Sequence, residues 1–211
     1  MVKTSVTVVR HGETEWNVSR QLQGRKNSNL TENGIKQAEL TAEALKDKSF
    51  DFLYTSNLRR ALETTEIINK YHRIEIHVDE SLAERNFGVM EGLTNEEIIE
   101  KYPEVYNRYI QREEAFLIPE GESLVSFYER VKNGLNAIAQ LHAGKEILIV
   151  THGGILDCMM RMVFNYPLSA PRSFYIYNAS INKFSVNEGV WFLKVWGDIS
   201  HQGGMALSLD I

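Results

Sequence analysis

Two stretches of this sequence place a histidine and a glycine directly after a short run of apolar residues. The first is Val6–Val9 followed by Arg10-His11-Gly12, and the second is Ile147–Val150 followed by Thr151-His152-Gly153-Gly154. Apolar runs rich in β-branched residues are typical of buried strands. A lone histidine at a strand end is more often structural than chemical, but two in the same setting predict a shared site.

The residue types in the two motifs suit a phosphate group. A guanidinium is a planar, permanently charged donor that matches phosphate oxygens, and glycine lets the backbone approach a ligand closely. Ligands of open α/β sheets bind at the carboxyl ends of the strands. The sequence therefore predicts that Arg10, His11 and His152 meet at one edge of a sheet, around an anion.

The remaining pattern predicts more strands for that sheet. Strands are expected at Asp51–Thr55 and Ile74–Val78, where short apolar runs recur. Ser180–Val186 and Val190–Val195 alternate in hydrophobicity around a turn, which predicts an antiparallel hairpin at the edge.

Helical spacing fills the stretches between these strands. Helices are expected after the N-cap candidates Thr31, Ser56 and Thr94, over Ser123–His142, and after the second histidine motif. The helix that follows Ser56 is expected to turn Leu58, Leu62, Thr65 and Ile68 toward the core. The order of elements predicts a three-layer α/β/α fold with a mainly parallel sheet, an antiparallel edge hairpin and a small helical cap insertion at about residues 93–122.

Composition indicates a globular protein without a nucleic-acid or membrane function. The 211 residues are 43% hydrophobic and 24% charged, with a net charge of −5. There is no basic run, and no apolar run approaches the roughly 20 residues of a membrane span. Cys158 is the one cysteine, which rules out a disulfide within the chain and predicts a cytoplasmic protein in which this thiol is buried.

The first motif and several later blocks carry a resemblance to a known family. Arg10–Asn17 resembles the RHGxTxWN signature of the histidine phosphatase superfamily, in its phosphoglycerate-mutase-like branch and of the broad-specificity phosphatase type. Further blocks follow in the family's order: Gln23-Gly24, Leu30–Gly34, Tyr54–Thr64, Leu82–Gly88, Glu91-Gly92, Gly121–Ser123 and Thr151–Gly154. The resemblance implies a single domain of this family over residues 1–211.

Catalysis on a phosphate monoester through a covalent intermediate needs a nucleophile and a cationic clamp. His11 is expected to be the nucleophile, neutral at its attacking nitrogen and fixed at the other by a backbone carbonyl. Arg10, Arg59 and His152 are expected to form the clamp, with His152 as a cation. Spacing alone does not separate Arg59 from its neighbour Arg60, and the resemblance selects Arg59.

An acid must protonate the leaving oxygen and then, as a base, activate water. The resemblance to the family's L-x-E-x-x-x-G stretch singles out Glu84 for this role, and Glu13 and Glu91 are expected to be structural. Substrate-binding positions implied by the motifs are Asn17, Gln23, Gly24 and Gly153. Arg25 and Lys26 either attract anions or belong to a solvated loop, His201 is an unexplained exposed residue, and the aromatic residues from Tyr102 to Tyr109 are expected to pack internally.

Three functions compete at this point. The first is a metal-independent phosphatase that hydrolyses small phosphomonoesters through a phosphohistidine, the second a cofactor-dependent phosphoglycerate mutase, and the third a non-catalytic phosphate-binding module. The resemblance favours the phosphatase because the mutases' adjacent arginine pair is missing before Gly121, and Phe87 stands where the mutases have tyrosine. No metal or other cofactor is expected. The expected partner is a small phosphorylated metabolite, neither nucleic acid nor membrane, and a homodimer is one option for the oligomeric state.

Overall fold

A computed structural model of the protein, which describes residues 3–203, is built on one six-stranded sheet. The strands are β1 (Thr4–Arg10), β2 (Phe52–Thr55), β3 (Ile76–Val78), β4 (Glu146–Thr151), β5 (Ile181–Asn187) and β6 (Val190–Asp198). Their order is β3-β2-β4-β1-β5-β6. The first four strands pair in parallel, whereas β5 runs antiparallel to β1 and β6. The mainly parallel sheet and its antiparallel edge hairpin are therefore confirmed.

Helices cover both faces of this sheet. They are α1 (Glu15–Val18), α2 (Glu32–Leu45), α3 (Arg59–His72), α4 (Asn95–Lys101), α5 (Pro103–Ile110), α6 (Leu124–Leu141) and α7 (Gly153–Phe164). On one face, α6 and α7 pack on Val6, Val8 and the neighbouring strands. On the other face, α2 and α3 pack on Val9 and Leu53. The chain thus has the predicted three-layer α/β/α architecture.

The helix N-termini follow the predicted capping residues with one exception. Thr31 and Thr94 each accept a hydrogen bond from a first-turn backbone N–H, as expected of N-caps, and the structure shows Ser123 capping α6 in the same way. Ser56 is not an N-cap, because α3 begins at Arg59 and its N-cap is Leu58. The Ser56 hydroxyl oxygen instead accepts the N–H of Leu58 at 3.2 Å.

A separate small core lies where the cap insertion is predicted. Met90, Ile98 and Ile118 are fully buried there, and partly buried aromatic side chains of α5 pack against them. This cluster places α4 and α5 over the carboxyl end of the sheet, beside the site described below. The boundaries of the insertion at 93–122 stay a prediction, and the ends of the predicted 1–211 domain, residues 1–2 and 204–211, lie outside the described residues.

The sheet register decides where the two histidine motifs lie. Strands β1 and β4 are neighbours, with Arg10 paired to Thr151, and the His11 N–H donates to the Thr151 carbonyl at 2.9 Å. Both motifs therefore leave the sheet at the same edge. His11 and His152 each directly follow a paired residue and so lie side by side. Within residues 3–203, no helix is long and apolar enough to cross a membrane.

Candidate active site

The two histidines predicted to share a site are in contact distance. The centroids of the His11 and His152 rings lie 5.3 Å apart. Only 3% of His11 is exposed, and His152 is fully buried. This confirms that the parallel pairing of β1 and β4 brings together two residues far apart in sequence.

Hydrogen bonds define which nitrogen of His11 can react. Nδ1 lies 2.8 Å from the Gly12 carbonyl oxygen, which can only accept a proton. Nε2 lies 3.3 Å from Nε of Arg60, which can only donate one. His11 is therefore protonated at Nδ1 and carries its lone pair on Nε2, which is the arrangement predicted for a nucleophile.

The surroundings keep His11 neutral. Burial, and then the positive charges of Arg60 and Arg10, lower the pKa of His11 well below the ordinary histidine value, although the Gly12 carbonyl opposes this. Gly12 cannot be replaced by a larger residue, because a Cβ there would lie 2.4 Å from the Gly34 carbonyl oxygen. The close packing of α2 on the motif thus holds His11 in place.

The arginine beside His11 is Arg60, and the prediction of Arg59 is wrong. Arg60 is 1% exposed, and besides His11 its guanidinium donates to the carbonyls of Gly24 and Lys26 at 2.8 and 2.9 Å. The Arg59 side chain is 63% exposed and pairs with Glu63 one turn along the surface. Arg10, as predicted, lies in the site, buried and donating to the Ile176 carbonyl at 2.8 Å.

The rotation of α3 about its axis explains why Arg60, and not Arg59, lies beside His11. Its buried residues are Arg60, Ala61, Thr64, Thr65 and Ile68, so the inward face is displaced by about one residue from the predicted one. Successive residues of an α-helix differ by about 100° in direction, so that displacement moves one arginine out and its neighbour in. The four-residue spacing of Arg60 and Thr64, beside Ala61 and Thr65, is the pattern that could have found it.

His152 lies beside His11, and in the ligand-free protein its surroundings disfavour the cation that the sequence predicts. Burial, then Arg60, His11 and Arg10, lower the pKa of His152 well below the ordinary value. Its Nε2 lies 2.7 Å from the hydroxyl oxygen of Ser56, and its Nδ1 is buried without a hydrogen-bond partner among the described residues. Within the described part of the chain, no carboxylate is hydrogen-bonded to the ring to stabilise the charged form.

Glu84 lies across the site, where its carboxylate is anchored by two backbone donors. Oε1 accepts the N–H of Arg85 at 2.8 Å, and Oε2 accepts the N–H of Gly154 at 2.9 Å. Gly154 belongs to the first turn of α7, and a Cβ at this position would lie 2.1 Å from Oε1. The Thr151 hydroxyl also donates to the Leu82 carbonyl at 2.7 Å, which ties the Glu84 loop to the end of β4.

Apart from His152, these groups line one cavity of about 500 Å³. Its wall includes Arg10, His11, Arg60 and Glu84, and the predicted substrate-binding residues Asn17, Gln23, Gly24 and Gly153. A cavity of this size is typical of small-molecule sites. The first turn of α7 also presents the positive end of a helix to the cavity, which favours an anion.

Two structural carboxylates support this wall. Glu91 accepts the backbone N–H groups of Arg25, Lys26 and Phe87 at 2.8 to 3.0 Å, and so holds the loop that carries Gly24. Gly24 has a φ of +56°, and a Cβ there would collide with the Glu91 carboxylate. Glu13 accepts the Thr31 hydroxyl at 2.8 Å.

Asn17 is oriented by its own capping interactions. Its Oδ1 accepts the backbone N–H and the hydroxyl of Thr14, both at 3.1 Å, and Nδ2 of Asn178 at 3.2 Å. The group that Asn17 can offer an anion in the cavity is therefore its amide nitrogen. Asn178 also donates to the His11 carbonyl at 3.0 Å and thereby links the two residues.

Other predicted residues lie outside the cavity. Arg25 donates to the Glu84 carbonyl and Lys26 to the Glu91 carbonyl, so both are tied to the protein itself. His201 is half-buried and its Nε2 contacts the Thr41 hydroxyl oxygen at 3.0 Å, which corrects the expectation of an exposed residue. Cys158 is buried as expected.

The sequence interpretation missed the far end of the cavity. Tyr106 and Tyr109, expected to pack internally, line it together with Arg85, Arg112 and Arg172. The last two arginines lie in segments without a recognisable motif, so only the position of α5 over the sheet could reveal them. Among the described residues, no group of three or more His, Cys, Asp and Glu side chains is arranged to hold a metal ion.

Comparison with known proteins agrees with this geometry. The family model of the histidine phosphatase superfamily, branch 1, matches residues 6–199. Phosphoglycerate mutase-like protein 4 of Arabidopsis thaliana is 38% identical over 200 residues, which are 93% of this chain and 86% of that protein.

Two solved structures are similar over nearly their full lengths. YhfR of Bacillus stearothermophilus is 35% identical with a TM-score of 0.87, and the match covers 94% of this chain and 98% of that one. Phosphoserine phosphatase of Entamoeba histolytica, in complex with 3-phosphoglyceric acid, is 29% identical with a TM-score of 0.83, again over 94% and 98%.

Proposed function

The chain belongs to the histidine phosphatase superfamily, branch 1, and on that basis and the cavity geometry we propose that it hydrolyses small phosphomonoesters through a phosphohistidine on His11. The observation that carries the proposal is the state of His11, whose Nδ1 proton is held by the Gly12 carbonyl while the lone pair on Nε2 lies among guanidinium groups. A neutral imidazole in this state can attack phosphorus.

In the first step, the Nε2 lone pair forms a bond to phosphorus and the bond from phosphorus to the ester oxygen breaks. Arg10, Arg60 and the amide nitrogen of Asn17 stabilise the negative charge that spreads over the remaining phosphoryl oxygens. The first turn of α7 adds the field of its backbone N–H groups. His152 contributes as a neutral hydrogen-bonding group in the ligand-free state, and the entering phosphate supplies the negative charge that favours its protonation.

Glu84 supplies and removes the protons. As the ester bond breaks, its protonated carboxyl gives a proton to the leaving oxygen. In the second step, the carboxylate takes a proton from water, the resulting hydroxide attacks phosphorus, and the bond to Nε2 breaks. Inorganic phosphate leaves and His11 is neutral again. The two backbone donors that hold Glu84 fix the carboxyl's position for both steps.

The test is to trap the intermediate. Phosphohistidine is stable in alkali and lost in acid, so quenching the enzyme in alkali with labelled substrate should leave an acid-labile label on the protein. His11→Ala should carry no label and lose turnover. His77→Ala is the control, because His77 lies on β3 and does not line the cavity. Normal turnover in His11→Ala would rule out this nucleophile.

A phosphoglycerate mutase is the second candidate, because the 38% identical relative is named mutase-like and Glu84-Arg85 resembles the mutase motif. A mutase must shield its phosphohistidine from water and return the group to a substrate. The test supplies 3-phosphoglycerate with catalytic 2,3-bisphosphoglycerate and follows both 2-phosphoglycerate and free phosphate. Hydrolysis should dominate, and rapid isomerisation with negligible phosphate release would favour the mutase.

A non-catalytic phosphate-binding module is the remaining alternative, and release of p-nitrophenol from p-nitrophenyl phosphate would exclude it. Metal independence belongs to the proposal, in which Arg10, Arg60 and His152 stabilise the phosphoryl oxygens in place of a metal ion. The cytoplasmic location, the oligomeric state and the absence of nucleic-acid and membrane partners stay predictions.

A further inference from the structure

A buried turn at Asn178-Ala179 packs against the loop that carries His11, although neither residue of the turn lines the cavity. Asn178 is 2% exposed, and Ala179 is fully buried. We propose that Asn178 is a positioning residue, which holds the nucleophile His11 and the phosphate-binding residue Asn17 at the same time. The proposal rests on the proposed function, because it assigns Asn178 a part in that reaction.

The side-chain amide of Asn178 reaches both residues with one nitrogen. Its Nδ2 donates to the His11 carbonyl oxygen at 3.0 Å and to Oδ1 of Asn17 at 3.2 Å. An amide nitrogen carries two protons, one for each of these oxygens. The opposite orientation of the amide would set its oxygen against two acceptors, so the hydrogen bonds determine the direction of the side chain. Removal of this one NH2 group therefore affects two residues of the site together.

The hydrogen bond to Asn17 helps to fix which atom of that side chain meets an anion. Oδ1 of Asn17 accepts the Thr14 N–H at 3.1 Å as well as Nδ2 of Asn178. With its oxygen bonded to the protein, Asn17 offers its amide nitrogen to the cavity that it lines. Loss of the Asn178 donor weakens this orientation, and we expect weaker binding of phosphate as the result.

The backbone of the turn holds the same loop. The Ala179 N–H lies 3.1 Å from the Arg10 carbonyl oxygen and 3.2 Å from the His11 carbonyl oxygen. The His11 carbonyl thus faces donors from two consecutive residues, one on a side chain and one on the backbone. Because the His11 ring must keep its Nε2 lone pair directed at phosphorus, these donors limit the movement of the backbone that carries the ring.

The turn has two features that lower its stability. Ala179 has a φ of +50°, a left-handed conformation that is unfavourable for a residue with a Cβ. Oδ1 of Asn178 is buried and has no hydrogen-bond partner among the described residues. Strained backbone of this kind is concentrated at functional sites, where the surrounding structure maintains it. Both features accompany the geometry that aims two donors at the His11 carbonyl.

Two other segments hold the turn itself in place. Nε2 of Gln202, a buried residue of the short helical turn Ser200–Gln202, donates to the Asn178 carbonyl at 2.9 Å. The hydroxyl of Thr41, on α2, donates to the Ala179 carbonyl at 3.0 Å. The backbone of the turn is therefore fixed from both sides, so the Asn178 side chain projects from a rigid base toward His11 and Asn17.

The experiment compares two buried asparagines that both bond to the segment of β1. Asn182 is 1% exposed, and its Nδ2 donates to the Val8 carbonyl at 3.2 Å, away from the cavity wall. Asn178→Ala should lower kcat for p-nitrophenyl phosphate by roughly tenfold, the size expected for the loss of a hydrogen bond. Asn182→Ala is the matched control, which should lower the free energy of unfolding in urea by a similar amount but leave kcat within about twofold.

A double-mutant cycle on the affinity for inorganic phosphate tests how Asn178 acts. Asn178→Ala should weaken phosphate binding by roughly fivefold in the wild-type background, but by less than about twofold in Asn17→Ala, because the residue through which it acts is gone. Asn178→Leu keeps a branched side chain without the donor, and it gives the same comparison if the alanine variant does not fold.

The proposal is overturned if Asn182→Ala loses as much kcat as Asn178→Ala, or if phosphate binding falls by the same factor with and without Asn17. A wild type that binds phosphate but hydrolyses no phosphomonoester contradicts the proposed function instead. The cycle on phosphate affinity needs no turnover, so in that case it still decides whether Asn178 positions Asn17.

Discussion

Replacing Arg60 and Arg59 in turn with methionine tests which of the two arginines acts in the site, because their spacing in the sequence does not distinguish them. Arg60 donates to Nε2 of His11, and in the proposed mechanism it moves onto the phosphoryl oxygens. Removing one such donor from the transition state costs on the order of 10²–10³-fold in kcat. Methionine keeps the apolar stem, so the change is confined to the guanidinium.

The stability of the fold should respond as well. In Arg60→Met, the carbonyls of Gly24 and Lys26 lose their donors at 2.8 and 2.9 Å, at about 1–3 kcal/mol for each that stays unsatisfied. Relief of the buried charge offsets part of this, so we expect a net loss of about 2 kcal/mol. An exposed pair such as that of Arg59 with Glu63 is worth no more than about 0.5 kcal/mol, and Arg59→Met should leave kcat within about twofold.

The assay is steady-state hydrolysis of p-nitrophenyl phosphate and of an alkyl phosphate, with urea unfolding of each variant. Circular dichroism confirms that Arg60→Met is folded at the assay temperature, so that a loss in kcat is not a loss of folded enzyme. The reasoning is refuted if Arg59→Met loses as much activity as Arg60→Met, or if Arg60→Met keeps more than about a tenth of the wild-type kcat.

Further outcomes follow from the same geometry. Glu84→Gln should lower the turnover of an alkyl phosphate by about 10²–10⁴-fold. The rate of the first step with p-nitrophenyl phosphate, measured as a burst of p-nitrophenol, should fall less. Equal losses with the two substrates would contradict the acid role. Gly154→Ala should lower kcat, because the new Cβ would lie 2.1 Å from Oε1 of Glu84, and an unchanged rate would show that the carboxylate need not be there. Dialysis against EDTA should leave activity intact, whereas a loss restored by Mg²⁺ or Zn²⁺ would reveal a metal. Because the pKa of His11 is lowered, kcat/KM should stay constant as the pH falls below about 6.5, where an ordinary histidine becomes protonated. A decrease in kcat/KM centred at about pH 6.5 would argue against a neutral His11.

The same two histidines set the pH dependence of stability. The folded-state pKa values of His11 and His152 are both below the unfolded value of about 6.5. The unfolded chain therefore binds more protons as the pH falls, and the free energy of unfolding should decrease progressively below about pH 6.5. Urea unfolding between pH 8 and pH 5 measures this, and His152→Gln should show a smaller decrease than the wild type.

Much of the architecture could be predicted because it depends on local patterns. The apolar runs before His11 and His152 predicted two buried strands, and the alternation around Asn187–Gly189 predicted the edge hairpin. The meeting of the two histidines followed from one rule, that the carboxyl ends of parallel strands share an edge. The state of His11 followed from Gly12, whose carbonyl is within reach of Nδ1.

Packing decided what the patterns left open. Arg59 and Arg60 are chemically the same, and only the rotation of α3 against the sheet, set by Ala61, Thr64 and Ile68, turns Arg60 inward. The environment of His152 also could not be predicted from the sequence, because the charges that act on this ring come from three separate segments.

The lining of the far end of the cavity is determined by the tertiary structure and could not be predicted from the sequence. Arg85, Arg112 and Arg172 belong to segments spread over almost ninety positions of the chain, and no spacing rule connects them. The fold places α5 above the carboxyl edge of the sheet, and these arginines line the same cavity as Tyr109. The short motifs predicted which residues meet at the end of the sheet, whereas long-range packing decided which charges line the rest of the cavity.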